Sequence, residues 1–188
     1  ALANRRPLAC DPAGNGRRAG GTLSQMHTPD GTRNLISTLL SRSSMSLSLV
    51  GSHRDEVLQE LIRRIPEISG RPEDCARLLS ALQEREELHS TGIGDGVALP
   101  HARNAVSGLV AEPVIVFGRH AQGIAYGSID NKPVQLFFLI VTTSVTQHLQ
   151  ILARMSRLLR DANLRRRLLA AIQPSEVLQA VKDAESLQ

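Results

Sequence analysis

Apolar residues first fall into a regular pattern at Leu35, Ile36, Leu39 and Leu40, which share one helical face. The period changes at Ser46–Val50, where Leu47 and Leu49 alternate with serine as in a half-buried strand. Gly51 and Ser52 break that run. Val57, Leu58, Leu61, Ile62 and Ile65 then line one side of a helix expected over about residues 53–64, with Ser52 available to cap it. Pro66 and Gly70 end the segment. Pro72 suits a first helical turn, and Cys75, Ala76, Leu78, Leu79 and Leu82 extend a second apolar face to about Glu86.

Residues 87–108 lose the period. Gly92, Gly94 and Gly96, followed by Pro100 and His101, predict a shaped loop rather than a regular element. Val114–Phe117 reads as a strand, Ile124–Tyr126 as a short one, and Asp130–Pro133 as a turn. Val134–Val141 is interrupted only by Gln135, as expected of a strand covered on both faces. From about Gln147, Leu149, Leu152, Met155 and Leu159 form the stripe of a long amphipathic helix. Two shorter helices are expected at about 164–171 and 175–181. Helices flanking a few strands predict an α/β sandwich.

Composition narrows the function classes. Among 188 residues there is no Trp, and the aromatics are Tyr126, Phe117, Phe137 and Phe138, so the core must be aliphatic and base stacking on exposed rings is disfavoured. Residues 1–34 hold five Arg and two Asp, whereas residues 35–188 hold 17 basic and 16 acidic residues. The basicity therefore belongs mainly to residues 1–34, which show no apolar period and are expected to be a flexible extension, with one domain over 35–188. The near-neutral remainder argues against nucleic-acid binding, even by the Arg-rich helices around Arg154, Arg157, Arg160 and Arg165–Arg167. Cys10 and Cys75 form no disulfide framework and fit a reducing cytoplasm. The apolar run 134–141 is too short to span a bilayer, and no apolar signal segment stands at the N-terminus.

The chemistry is expected at His101. Pro100 fixes the backbone before it, and Leu99 is pushed towards an extended conformation. The nearby glycines could let backbone approach a bulky anion and cradle it with free N–H groups. Imidazole is neutral and nucleophilic near pH 7, which a phosphoryl acceptor requires. Its acceptor nitrogen must be unprotonated, so the other nitrogen should donate a hydrogen bond.

His148 is expected at a helix start just beyond the strand 134–141, where strand ends and helix dipoles favour anions. Arg85 could add a permanent charge; taken alone, it reads as a solvated helix residue paired with Glu84 or Glu86. Two histidines without nearby Cys or a paired carboxylate make a poor metal site, and no metal or other cofactor is expected. His27, His53 and His120 read as surface or tail residues, His89 as peripheral, and Asp95 as a turn former.

The stretch from Glu84 through Gly92-Ile93-Gly94-Asp95-Gly96-Val97-Ala98-Leu99-Pro100-His101 to Ala102 resembles the signature of the type-2 IIA domain of the bacterial phosphotransferase system, the fructose, mannitol and nitrogen-regulatory family. Thr146-Gln147-His148-Leu149 resembles its second histidine segment, and Asp130-Asn131-Lys132-Pro133-Val134 the turn before its central strand. The similarity covers about residues 42–184. It implies a mixed sheet with helices on both faces. It also implies a phosphohistidine at His101 charged by phospho-HPr or a relative, with His148 and Arg85 in the active site.

Asp95 stands where many members have Asn, and Ala102 where many have Gly. A downstream IIB permease component or a regulatory target is implied as the partner, with no membrane insertion. No sugar-transport domain is attached in this sequence, which places nitrogen regulation ahead of sugar uptake. The competing reading is a protein-binding regulator on the same fold that works without phosphorylation.

Overall fold

A computed structural model describes residues 35–102 and 108–187. The expected flexible extension, residues 1–34, lies outside the described residues, as does His27. The elements run α1 (Ile36–Leu39), β1 (Leu40–Leu49), α2 (Arg54–Ile62), α3 (Pro72–Leu88), β2 (Gly92–Gly94), β3 (Val97–Ala98), β4 (Val114–Ile124), β5 (Val134–Val141), α4 (Val145–Leu158), α5 (Ala162–Ala170) and α6 (Pro174–Ser186). The strands form one mixed sheet in the order β1-β4-β5-β3-β2. β1 runs parallel to β4, β4 antiparallel to β5, β5 parallel to β3, and β3 antiparallel to β2.

The expected α/β architecture with helices on both faces is what forms. Along β5, alternate side chains point to opposite sides of the sheet. Leu136, Phe138 and Ile140 join Ile36, Ile151, Met155, Leu164, Leu168 and Val177 in a core beneath α1, α4, α5 and α6. Phe137, Leu139 and Val141 join Val57, Leu58, Leu61, Leu78 and Leu82 beneath α2 and α3. No helix among the described residues is long and apolar enough to cross a membrane.

Four local expectations are corrected. The short stripe at Leu35–Leu40 forms one helical turn as expected, but β1 begins at Leu40, well before Ser46. The polar stretch 41–44 fits inside that strand because the register shifts between Leu40 and Met45, and buried Ser44 donates to the Ile115 carbonyl (3.1 Å). Ser52 does not cap α2: its N–H and hydroxyl both donate to Glu56 Oε2 (2.7 and 2.9 Å), and His53 occupies the N-cap position.

β4 continues past Phe117 to Ile124, across a register shift that accommodates its polar second half. His120, expected at a strand end, is therefore a half-buried residue within β4. The 87–108 segment contains a short hairpin, β2–β3, that extends the sheet. Gly94 and Gly96 supply its positive φ values of 93° and 74°, and Asp95 between them adopts 52°.

Candidate functional site

β3 carries the chain along β5, with Val97 opposite Leu136 and His101 bridged to Ile140. Ile140 N–H donates to the Pro100 carbonyl (2.9 Å), so the Pro-His segment is fastened to the central strand. The His101 ring is half-buried, and its Nδ1 lies 2.7 Å from the Leu99 carbonyl oxygen. A carbonyl can only accept, so this contact requires Nδ1–H and leaves Nε2 with a free lone pair. The hydrogen-bond partner that sequence could not show is thus a backbone group two residues upstream.

His148 reaches the same place from the helix that follows β5. The strand ends at Val141, Thr142 follows, and Ser144 caps α4 by accepting from Gln147 N–H (3.3 Å). His148 falls in the first turn of that helix, beside the positive end of its dipole. Its ring centroid is 5.1 Å from that of His101, with the planes inclined at 53°. Its Nδ1 is 3.4 Å from the hydroxyl of buried Thr142, a long contact that turns Nδ1 towards the strand end.

Arg85 joins them from the last turn of α3, where its Nη1 donates to the His89 carbonyl (2.7 Å). The ion pair with Glu84 or Glu86 does not form among the described residues. Glu84 accepts from Ser80 (3.3 Å), and Glu86 turns inward to Thr91 and Tyr126. The Arg85 charge acts against protonation of both rings.

Burial pulls His101 below the ordinary imidazole value; the Leu99 contact works the other way, and the Arg85 charge adds to the lowering. Burial, then His101, then Arg85 do the same to His148. The unfolded chain binds protons on these rings near pH 6.5, where the folded protein still excludes them. Their contribution to stability is therefore fully present above about pH 6.5 and is lost as pH falls through the lower folded values. Urea unfolding compared at pH 7.5 and pH 5.5 should show lower stability at pH 5.5, and a shallower drop once both rings are replaced by Ala.

The glycines do not serve the purpose expected of them. The Gly94–Gly96 turn lies at the opposite end of β3 from His101; the four steps from Val97 to His101 alone span roughly 13 Å. Asp95 N–H is taken by the Asp130 carboxylate (2.9 Å), and Arg165 pairs with the Asp95 side chain (3.0 Å). Gly92 is required for packing, because a Cβ there would lie 2.7 Å from Ser128 Cα. Asp95 is thus a turn residue, as its sequence context suggested. Ala102 has no positive φ, so the missing glycine costs nothing in backbone conformation. His53 is exposed beside Glu56 (3.3 Å), and His89 contributes only its carbonyl to the arginine.

Residues 38–184 match the family described as phosphoenolpyruvate-dependent sugar phosphotransferase system, EIIA 2. The chain belongs to that family. The fructose-specific EIIABC component of Bacillus subtilis is 35% identical over 72% of this chain, which spans 21% of that longer protein. A nitrogen regulatory protein of Bradyrhizobium diazoefficiens is 32% identical over 72% of this chain and 87% of its own length. The solved nitrogen regulatory protein IIA-Ntr of Neisseria meningitidis superimposes with a TM-score of 0.69, at 28% identity, over 78% of this chain and 99% of that one. As a member of this family the chain is a phosphotransferase-system component, with relatives named as a fructose-specific component and as nitrogen regulatory proteins.

Proposed function

We propose that this chain carries a phosphoryl group on Nε2 of His101. The observation that carries the reading is the paired arrangement of the two imidazoles. Each has its Nδ1 turned to its own segment, and the rings sit 5.1 Å apart at the end of the central strand. The donor is a phosphohistidine protein of the HPr type. The Nε2 lone pair of His101 attacks phosphorus while the P–N bond to the donor imidazole breaks, its electron pair returning to the donor nitrogen. The Nδ1 proton stays on His101, and the Leu99 carbonyl stabilises the positive character that the ring acquires.

Arg85, His148 and the first-turn amides of α4 supply the positive field for the phosphoryl oxygens. With the Thr142 hydroxyl taken as the donor to His148 Nδ1, Nε2–H of that ring is left to donate to the phosphoryl group. His148→Ala should slow phosphorylation about 100-fold, in keeping with the loss of one preorganised donor to a developing anion, without removing the acceptor. Stopped labelling at early times measures it.

The surroundings suit a protein partner. Leu88, Val145 and Leu149 are 54%, 61% and 60% exposed on the two helix ends that carry Arg85 and His148. The Bacillus relative, whose name joins A, B and C components, points to a IIB domain as one onward acceptor. The nitrogen regulatory relatives point to a regulatory target as the other.

The test is incubation with phosphoenolpyruvate, enzyme I and HPr. An acid-labile, base-stable phosphoprotein supports the reading, and subsequent loss of label to a purified IIB domain identifies the sugar-uptake branch. A chain that stays unlabelled while still binding a partner is instead a phosphorylation-independent regulator.

A further inference from the structure

Glu86 is a buried carboxylate for which the proposed transfer has no direct use. It is 5% exposed and lies in the last turn of α3, next to Arg85. A carboxylate there faces the negative end of the helix dipole, and its burial costs solvation. Both oxygens are nevertheless occupied. Oε2 accepts from Thr91 N–H (2.9 Å), and Oε1 accepts from the Tyr126 hydroxyl (2.8 Å) and from the Thr91 hydroxyl. Thr91 and Tyr126 are themselves buried. Burial, then the Glu86 charge, push the Tyr126 phenol well above its ordinary value, so it remains a donor.

The chain of bonds continues in two directions. Leu99 N–H donates to the Thr91 carbonyl (3.0 Å), and the Leu99 carbonyl in turn receives His101 Nδ1 (2.7 Å). On the other side, Arg85 shares the helical turn of Glu86 and is tied to the His89 carbonyl (2.7 Å). One carboxylate therefore joins the segment that carries the guanidinium to the segment whose backbone sets the His101 tautomer.

We infer that Glu86 is a positioning residue for phosphoryl acceptance: through Thr91 it holds the Leu99 carbonyl where it keeps the His101 proton on Nδ1, and it fixes Arg85 relative to that ring. The inference rests on His101 being the acceptor. Transfer to Nε2 needs both the tautomer and the placement, and displacement by about 1 Å is enough to cost about 100-fold in rate. Glu86→Gln is nearly isosteric but leaves one accepting oxygen where the carboxylate offers two, and sets an NH2 group either against Thr91 N–H or against the Thr91 and Tyr126 hydroxyls that now donate.

The experiment uses phosphoramidate as a small phosphoryl donor, so that partner docking plays no part, and follows the imidazole nitrogens by 15N NMR in the full chain. In Glu86→Gln the His101 signals should move from the Nδ1–H tautomer towards a tautomer average, and phosphorylation should slow about 10- to 100-fold. Tyr126→Phe, which removes one donor and leaves the carboxylate, should shift both readouts the same way by roughly two- to tenfold in rate. Should Glu86→Gln not fold, Tyr126→Phe decides alone. A folded variant with a lowered melting temperature but unchanged tautomer and rate overturns the inference, because a purely structural clasp gives that result. His101→Ala separates the two readings. If it stays blank while Glu86→Gln matches the parent, only the positioning role is lost. If His101→Ala is labelled as well as the parent, the acceptor assignment falls and the inference with it.

Discussion

His101→Ala should take up no phosphoryl group from phosphoenolpyruvate through enzyme I and HPr, while folding as the parent does. The loss is complete rather than graded because the substitution removes the nucleophile itself; Arg85 and the start of α4 can stabilise an anion but cannot hold it covalently, and His148 is assigned to stabilising the phosphoryl oxygens rather than to accepting the group. The fold should survive. The ring is half-buried at the end of β3 rather than within either core, and the bond that fastens the segment, Ile140 N–H to the Pro100 carbonyl, is made by backbone. Acid-labile label on the gel and the thermal melt together check both halves. Label equal to that of the parent shows that another residue is the acceptor.

Phe137→Ala should destabilise the folded state by about 3–5 kcal/mol. Phe137 is fully buried on β5, opposite Gly118 of β4 and Ala98 of β3, and its ring centroid is 5.5 Å from Tyr126 in an edge-on arrangement. Its two strand partners have small side chains or none, so the phenyl group fills space that neither can reclaim, and a cavity remains. The loss is large against a total stability of about 5–15 kcal/mol for a domain. Urea unfolding measures it directly. Phosphorylation per folded molecule should change far less, because the substitution touches no charged group of the site.

Much of this molecule was legible in its sequence, and the illegible parts have physical causes. Val134–Val141 could be bounded to the residue because a strand covered on both faces shows as a nearly continuous apolar run, interrupted here only by Gln135, between a Pro turn and polar residues. The helices could be found from their stripes, although α6 continues to Ser186, past the last strongly apolar position, Val181.

The hairpin β2–β3 could not be found, since strands of three and two residues are too short for alternation to register and their glycines imitate a loop. The bulged start of β1 and the polar end of β4 failed for a related reason. Where pairing slips, side chains no longer alternate in and out, and the pattern that announces a strand is lost.

The site shows the same division. His101 and His148 stood out by type and context, and Arg85 only through the family resemblance; the two rings lie 5.1 Å apart, and the Arg85 charge acts on both. Their supports did not stand out. The Leu99 carbonyl is backbone and has no signature, Thr142 reads as an ordinary polar residue after a strand, and Glu86 sits in a run of charges that looks solvated. Only tertiary contact with Thr91 and Tyr126 distinguishes Glu86 from Glu84 and Glu87, both exposed on the same helix.

The most direct measurement is the identity of the modified atom, obtained from long-range 1H–15N NMR of the phosphorylated protein with phosphorus coupling to the ring. The account predicts a single phosphohistidine at His101, with phosphorus on Nε2 and the proton retained on Nδ1 against the Leu99 carbonyl. Phosphorus on Nδ1 of His101, or on His148 instead, contradicts it.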